Sequence, residues 1–462
     1  MNEQVVHDIR SHTIQWPRDA VFYHIYPLGC LGAPVRNPFH GPPSDRISLL
    51  SAWIDYLVDL GINAVCLGPV FEASGHGYDV ADYFQVDRRL GDQQALGALS
   101  DALHRNGIRI LLDAEFNHTG RDFWAFRDVL ERGLSSPYCT WYHLDFARRS
   151  PYGDPFHYKG WSGNYNLVKL DVSNPAVREH LFKAVSWWIE RFDIDGLRID
   201  AAADLDLDFQ RDLASHCGTA KRDFWLIGEV VGGDYRQWAY PGGLSSTTNY
   251  EAYKSLWSSH NDRNYFEIAY SLDRQFGPNG IYRELPLYSF ADNHDVDRIA
   301  TKLANPAHLY PLYTLLFTMP GVPSIYYGSE WGIEGRKVLG TDAPLRPVFD
   351  PATIRPMATH ADLHRVIKTL VALRRRLAPL RYGDYLQLHV AHEQFAFLRR
   401  DRDASVVVAV NAGDRPVDLP LVVPGSHGER LVDQLNDGES FNIRSDGRCL
   451  LPLYPRWARV LA

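Results

Sequence analysis

The sequence predicts an α/β protein: a (β/α)8 TIM barrel with a subdomain inserted after strand three and a C-terminal all-β domain. Three observations carry this. Eight short apolar runs, each followed by a loop and then a longer stretch of helical period, alternate over about 350 residues. Residues 119–171 break the alternation. They are too many for a βα loop and too rich in Gly, Pro and aromatics for one helix. From about Leu380 the apolar period changes to two.

The elements follow in order. Run one, 21–26, leads to a helix at 48–60, with Leu49, Leu50, Trp53, Ile54 and Leu57 on one face and Gly61 closing it. Run two, 63–67, precedes a helix at 95–105 ended by Gly107, and run three is 108–113. A helix at 176–192, opened by Ser173 and Pro175, precedes run four at 196–200. Run five is 225–229, and a weak sixth, 246–249, leads to a helix from Tyr250. Runs seven and eight are 287–290 and 322–326. The expected division is a barrel of 1–118 and 172–379, an insertion of 119–171, and a β-sandwich of 380–462 beginning with strands at 385–390, 395–399 and 405–410. Residues 1–16 read as a poorly packed arm.

Composition narrows the function. Of 462 residues, 45% are hydrophobic and 23% charged, which is ordinary globular usage. A net charge of −8 supplies no field for phosphate backbones, so no nucleic-acid partner is expected. No apolar run approaches 18 residues, so no membrane span is expected. The N-terminus is polar and lacks an apolar h-region, so no signal peptide is expected. Five cysteines without a CxxC pair suggest neither a disulfide framework nor a zinc knuckle, and a cytoplasmic location is expected. Nine aromatics lie between Tyr138 and Tyr165, among Gly, Pro, Ser and Asn. Most aromatics of a chain this size serve the core. This cluster reads instead as platforms for the flat faces of sugars.

Runs three, four, five and seven end in carboxylates: Asp113, Asp200, Glu229, and Asp292 with Asp295. One carboxylate at a strand end is as often a helix N-cap. Four on the C-terminal face of one barrel make a site. Without HxH or HExxH, no catalytic metal is expected. Two converging carboxylates suit glycoside chemistry, one ionised to attack the anomeric carbon and one protonated to assist the leaving oxygen. Arg198 shares a strand face with Asp200 and is expected to hold it ionised. Glu229, among Trp225, Leu226, Ile227, Val230 and Val231, is expected to be raised by apolar surroundings.

The strings Asp113-Ala-Glu-Phe-Asn117-His118, Gly196-Leu-Arg198-Ile-Asp200, Gly228-Glu229 and Phe290-Ala-Asp-Asn-His294-Asp295 resemble, in order, the four short regions of the α-amylase family of retaining glycoside hydrolases. Gly77-Tyr78-Asp79 with Asp82-Tyr83 and Asp87 resembles its strand-two loop. The resemblance implies Asp200 as nucleophile, Glu229 as general acid/base and Asp295 as a third carboxylate on sugar hydroxyls. It implies Arg198, His118, His294 and Asp79 around the scissile sugar, with Tyr78 as its platform. Asn164-Tyr-Asn-Leu167-Val-Lys169-Leu170-Asp171 is similar to the segment before strand four in neopullulanases and cyclomaltodextrinases, which implies small cyclic or short α-glucans, down to a cyclic maltosyl-maltose, as substrate.

Three departures bear on this. Those enzymes dimerise through an extra N-terminal β-domain; some 20 residues precede strand one here, and a homodimer is left open. Ala202-Ala203-Asp204 replaces the Lys-His common after the nucleophile strand, so a structural calcium, for which Asn117 is a candidate ligand, is not expected, nor is any other cofactor. Val230-Val231-Gly232-Gly233 lacks the aromatic common after the acid. The rival readings are a transglycosylase on the same scaffold and a non-catalytic family member acting as a binding protein. A walled cleft is expected from the insertion's Trp141, Tyr142, Tyr158, Trp161 and Tyr165, with Trp161 and Tyr165 touching substrate.

Overall fold

The computed structural model describes residues 14–354 and 358–462. Eight parallel strands form the barrel: β1 (Phe22–Ile25), β2 (Ala64–Leu67), β3 (Arg109–Ala114), β4 (Gly196–Ile199), β5 (Trp225–Gly228), β6 (Ser246–Thr247), β7 (Tyr288–Phe290) and β8 (Val322–Tyr326). Their order is β6-β5-β4-β3-β2-β1-β8-β7. A parallel bridge between Thr248 and Tyr288, with Asn249 N donating to Tyr288 O at 2.8 Å, closes the ring. The eight apolar runs of the sequence are these eight strands.

The helices around them are α1 (Ile54–Leu60), α2 (Gln93–Arg105), α3 (Pro175–Phe192), α4 (Leu207–Ala220), α5 (Tyr250–Asn261), α6 (Phe266–Phe276), α7 (Leu309–Thr318) and α8 (Leu363–Arg376). Only a four-residue helix, Arg236–Ala239, joins β5 to β6. The helix expected over 48–60 begins as a 3-10 helix, Ile47–Trp53. At three residues per turn Ile47, Leu50 and Trp53 face inward, and Leu49, expected inside, is 56% exposed. Asn174, not Ser173, caps α3, accepting from Ala176 N at 2.8 Å.

The barrel interior is filled by Phe22, Ala64, Cys66, Leu111, Trp225, Ile227, Tyr288, Phe290 and Val322. Ile14 and Trp16 pack against this core, so the end of the expected arm is not loose. Trp16 meets Phe22 and Trp225 edge-on or tilted and donates from Nε1 to Asp223 O at 3.0 Å, plugging the N-terminal mouth. The remainder of that arm, residues 1–13, lies outside the described residues.

Between β3 and α3 the chain forms a three-stranded antiparallel sheet from His118–Gly120, Asn164–Lys169 and Gly160–Trp161, and a helix Trp124–Arg132. In the tail, strands Asp384–Val390, Gln394–Arg400, Ser405–Asn411 and Trp457–Leu461 form one antiparallel sheet. One face, with Phe395, Phe397, Val406, Val408, Val410 and Val460, joins the barrel's core. The other, with Ala396, Leu398, Val407, Ala409 and Leu461, packs on Leu419, Leu421, Leu451 and Leu453 of a second ribbon. Ser405–Asn411 departs from the expected period of two: it is an unbroken apolar run because both of its faces are buried.

Candidate active site

Strand register assembles the site. Arg198 on β4 lies opposite Asp113 on β3 and Ile227 on β5. One residue past the pairs, Asp200 N donates to Ala114 O at 3.0 Å and Glu229 N to Ile199 O at 2.9 Å, so Asp200 and Glu229 leave adjacent strand ends side by side. Neighbouring strands are about 4.8 Å apart. The Arg198 guanidinium joins three carboxylates. Its Nη1 lies 2.7 Å from Asp113 and 3.0 Å from Asp200 Oδ1, and its Nη2 lies 2.8 Å from Glu229 Oε1.

This overturns the expected division of environments. Glu229 is not in an apolar sleeve. Besides Arg198, the Ala201 amide donates to its Oε2 at 3.1 Å and the Tyr250 hydroxyl to its Oε1 at 3.2 Å. Asp200 is the group enclosed by negative charge. Burial, then the charges of Glu229 and Glu115, push its carboxyl well above the usual carboxylate range against the pull of Arg198. Burial also raises Glu115, to about 7, although its Oε1 accepts from the amides of Asn117 at 2.6 Å and His118 at 2.9 Å. Ala201, directly after Asp200, holds φ +46°, a left-handed conformation that is uncommon outside Gly.

Asp295 stands on the opposite wall, one-third exposed, with His294 Nε2 at 2.9 Å and Arg346 Nη2 at 3.1 Å. Burial would raise it, but the imidazole and the guanidinium outweigh burial and hold the carboxyl far below its ordinary value. Tyr78 stacks on His294 with ring centroids 5.5 Å apart and donates to Asp113 Oδ2 at 2.9 Å. Burial holds His118 at about 3, hence neutral. With Nδ1 accepting from Asn117 Nδ2 at 3.1 Å, its Nε2–H has no acceptor among the described residues. Asp79 is buried and fixes the Gly77 turn, whose amide donates to its Oδ1 at 3.1 Å.

The insertion contributes less than expected. Trp161 stacks on His118 at 5.3 Å and donates from Nε1 to Asp204 Oδ2 at 2.7 Å, beyond the β4 end. Trp141, Tyr142 and Tyr158 are buried and do not line a cleft. They form the insertion's own core, against Trp124 and His180, Phe126, and Phe156 respectively. A unit of about 50 residues has few positions to bury, and large rings fill them. Tyr165 meets His157 and Tyr158 within the insertion and is not brought to the carboxylates.

The residues do not fit the calcium that the fold family implies. Asn117 Oδ1, the candidate ligand, accepts from the Lys169 ammonium, which also donates to Asp204 O at 3.0 Å. A lysine cation already joins the β3 end, the insertion and the loop after β4. Among the described residues no cluster of three His, Cys, Asp or Glu is placed to hold a metal. Tyr26, which stacks on His294 with centroids 5.7 Å apart and accepts from Arg346 Nη1 at 3.2 Å, and Glu115, Lys169, Tyr250 and Arg346 are the site's neighbours to which sequence reasoning gave no role. Tyr250 opens the helix after β6 and Glu115 sits within the β3 string, so position alone marked both. Arg346 lies in an aperiodic loop and carried no signal.

Comparison with known proteins agrees with this geometry. Residues 50–368 match the family description "Alpha amylase, catalytic domain". A cyclomaltodextrinase of Geobacillus thermopakistaniensis is 29% identical over 95% of this chain and 76% of its own length. Neopullulanase 2 of Thermoactinomyces vulgaris is 30% identical over 97% and 78%. The ligand-free structure of a cyclic α-maltosyl-(1→6)-maltose hydrolase from Arthrobacter globiformis superposes with a TM-score of 0.78 at 26% identity, over 95% of this chain and 100% of that one. The match over most of the chain and the carboxylates gathered on Arg198 lead to one conclusion: this chain belongs to the α-amylase family of glycoside hydrolases.

Proposed function

We propose that this enzyme is a retaining hydrolase of α-glucosidic bonds in small cyclic or short α-glucans. The observation that carries the mechanism is the pairing of Asp200 and Glu229 on one guanidinium at adjacent strand ends; retaining enzymes hold their two carboxyls close, roughly 5–5.5 Å apart, with no water between them. Asp200 attacks the anomeric carbon while Glu229 protonates the departing glycosidic oxygen. The resulting glycosyl ester is then attacked by water, which gives its proton to Glu229 and releases Asp200. Burial and the neighbouring carboxylates raise Asp200 in the free enzyme; the reaction needs it ionised, with Arg198 as its cation. Asp295 and His294 accept and donate to sugar hydroxyls, Tyr78 and His118 hold the ring, and Arg198 stabilises Asp200 as it leaves.

The substrate class rests on the relatives, which bear the names cyclomaltodextrinase, neopullulanase and cyclic α-maltosyl-(1→6)-maltose hydrolase, and on Trp161, which rises over His118 as a wall pinned to Asp204. The same reading divides the chain at 118/119, 171/172 and 379/380 and places the enzyme in the cytoplasm as a monomer or homodimer. No helix of the described residues is long and apolar enough to cross a membrane.

The test is azide rescue together with a substrate panel. Asp200→Gly loses activity by several orders of magnitude, and azide restores part of it with a glycosyl azide of inverted configuration. Cyclic or short α-glucans exceed soluble starch by at least about tenfold in kcat/KM, roughly 1.4 kcal/mol. An azide product of retained configuration defeats the mechanism; starch cleaved as fast as the small glucans defeats the substrate class.

A further inference from the structure

At the end of the barrel opposite the carboxylates lies a second polar cavity, of about 220 Å3, between the barrel floor and the tail. Pro286, just before β7, and Gly321, just before β8, form its barrel side, and residues 381–385 with Arg399 form its tail side. Its charged lining is four guanidinium groups, from Arg18, Arg283, Arg381 and Arg399, against two carboxylates, from Glu284 and Asp384. In a chain of net charge −8 this excess of cations is local and built.

Two of the four, Arg18 and Arg399, have no carboxylate partner among the described residues. Arg399 is 1% exposed and bonds only carbonyls: Thr318 at 2.7 Å, Leu380 at 3.0 Å and Gly383 at 2.9 Å. Arg374, directly behind it, also bonds Leu380 O, at 3.1 Å, so two buried guanidinium groups share one carbonyl. Neither has a carboxylate partner among the described residues. Arg18 makes one long bond, 3.4 Å, to Glu284 O. Arg283 pairs with Asp384 at 2.7 Å, and Arg381 with Asp19. The buried Nε of Arg381 and of Arg399 have no acceptor among the described residues. A buried donor without an acceptor, beside like charge, costs free energy, so the cluster carries cationic charge that its neighbours do not fully meet.

We propose that this cavity is a binding site for a phosphate group, either free phosphate or the phosphate of a small phosphorylated sugar. Arginine forks match tetrahedral oxyanions through paired N–H donors. The volume exceeds one phosphate and leaves room for a small attached group. Burial, then the charges of Arg374 and Arg18, hold the basicity of Arg399 down to about 9, and an anion beside it would oppose that shift. Of the two carboxylates in the lining, Asp384 is already paired with Arg283 at 2.7 Å. Because the site lies at the seam of barrel and tail, occupancy strengthens that seam and leaves the catalytic groups untouched.

The full-length enzyme is titrated calorimetrically with inorganic phosphate and, separately, with glucose 6-phosphate, at constant ionic strength maintained with sodium chloride. Saturable binding at one site, with Kd of about 1 mM or tighter, and a melting temperature raised beyond a chloride control are expected. Tenfold tighter binding of glucose 6-phosphate identifies a sugar phosphate as the ligand; equal or tighter binding of inorganic phosphate identifies the free ion. Arg18→Ala and Arg381→Gln each weaken binding at least tenfold, and Arg18→Ala retains full glucan hydrolysis. Arg18 makes a single long bond, so this variant folds if Arg381→Gln does not. No saturable heat with either compound, stabilisation matched by chloride, or unchanged affinity in folded Arg18→Ala overturns the proposal.

Discussion

Replacing Arg198 by Met tests the hub on which the proposed chemistry depends. The guanidinium is 3% exposed and holds Asp113, Asp200 and Glu229 at 2.7 to 3.0 Å. Its loss leaves three buried carboxylates without their cation. Breaking a buried ion pair from one side costs about 3–5 kcal/mol, and that is the expected loss of stability at pH 7.5. The sign with pH follows from the carboxylates. Without the cation the folded pKa values of Asp113 and Asp200, already raised by burial, rise further above the unfolded ones, so the variant's folded state takes up protons. The deficit is therefore smallest at acidic pH and grows as pH rises through the raised values.

Activity falls for a related reason. One charge-assisted hydrogen bond of about 1.5–3 kcal/mol is lost at each of the two reacting carboxyls, together about 10^2- to 10^4-fold in kcat/KM. Urea unfolding at pH 5.5 and 7.5 and initial rates on a cyclodextrin measure both effects. Arg198→Lys restores charge without the fork, recovering stability more than rate. A Met variant that loses equal stability at both pH values, or keeps its rate within threefold, refutes the reasoning.

Three further expectations concern single residues. Glu115 has a raised folded pKa of about 7, so its contribution to stability is complete below its unfolded value and disappears as pH rises through 7; Glu115→Gln flattens the stability profile between pH 5 and 8 and, by removing one charge that raises Asp200, moves the acid limb of kcat/KM to lower pH. Activity is insensitive to chelator because Lys169 occupies the cation position, and Lys169→Met destabilises by about 1–3 kcal/mol, measured by urea unfolding, without acquiring calcium dependence. Trp161→Ala lowers the preference for cyclic and short glucans over starch by about tenfold, read as a ratio of kcat/KM values.

The barrel was legible because its strands are short apolar runs with a loop and helix between them, and β6, two residues long, was the faintest for want of length. The gathering of Asp113, Arg198, Asp200 and Glu229 was legible too, since parallel register places equivalent strand ends together. What the chain alone hid was the environment of each group. Local sequence made Glu229 look apolar, but its donors come from Arg198, Ala201 and Tyr250, on neighbouring elements. Composition misplaced the insertion's aromatics for the same reason: whether a ring faces solvent or core depends on Phe126 and Trp124, contributed by a helix earlier in the chain. Trp16 was misjudged because its partners Phe22 and Trp225 lie on two barrel strands, the second of them far along the chain.

The tail sheet, covered on one side by the barrel and on the other by its own ribbon, is a shared wall and not an appendage. A chain cut after residue 379 would present a bare apolar floor to water, and the released tail would present the matching sheet face with Phe395, Phe397, Val408 and Val460 uncovered. Neither piece can be transplanted onto another scaffold as a self-sufficient module. Changes made for the tail's sake propagate into the barrel floor, through the carbonyls of residues 317–321 that Arg374 and Arg399 grip. Design on this enzyme therefore has one stable unit to work with from β1 to the last strand.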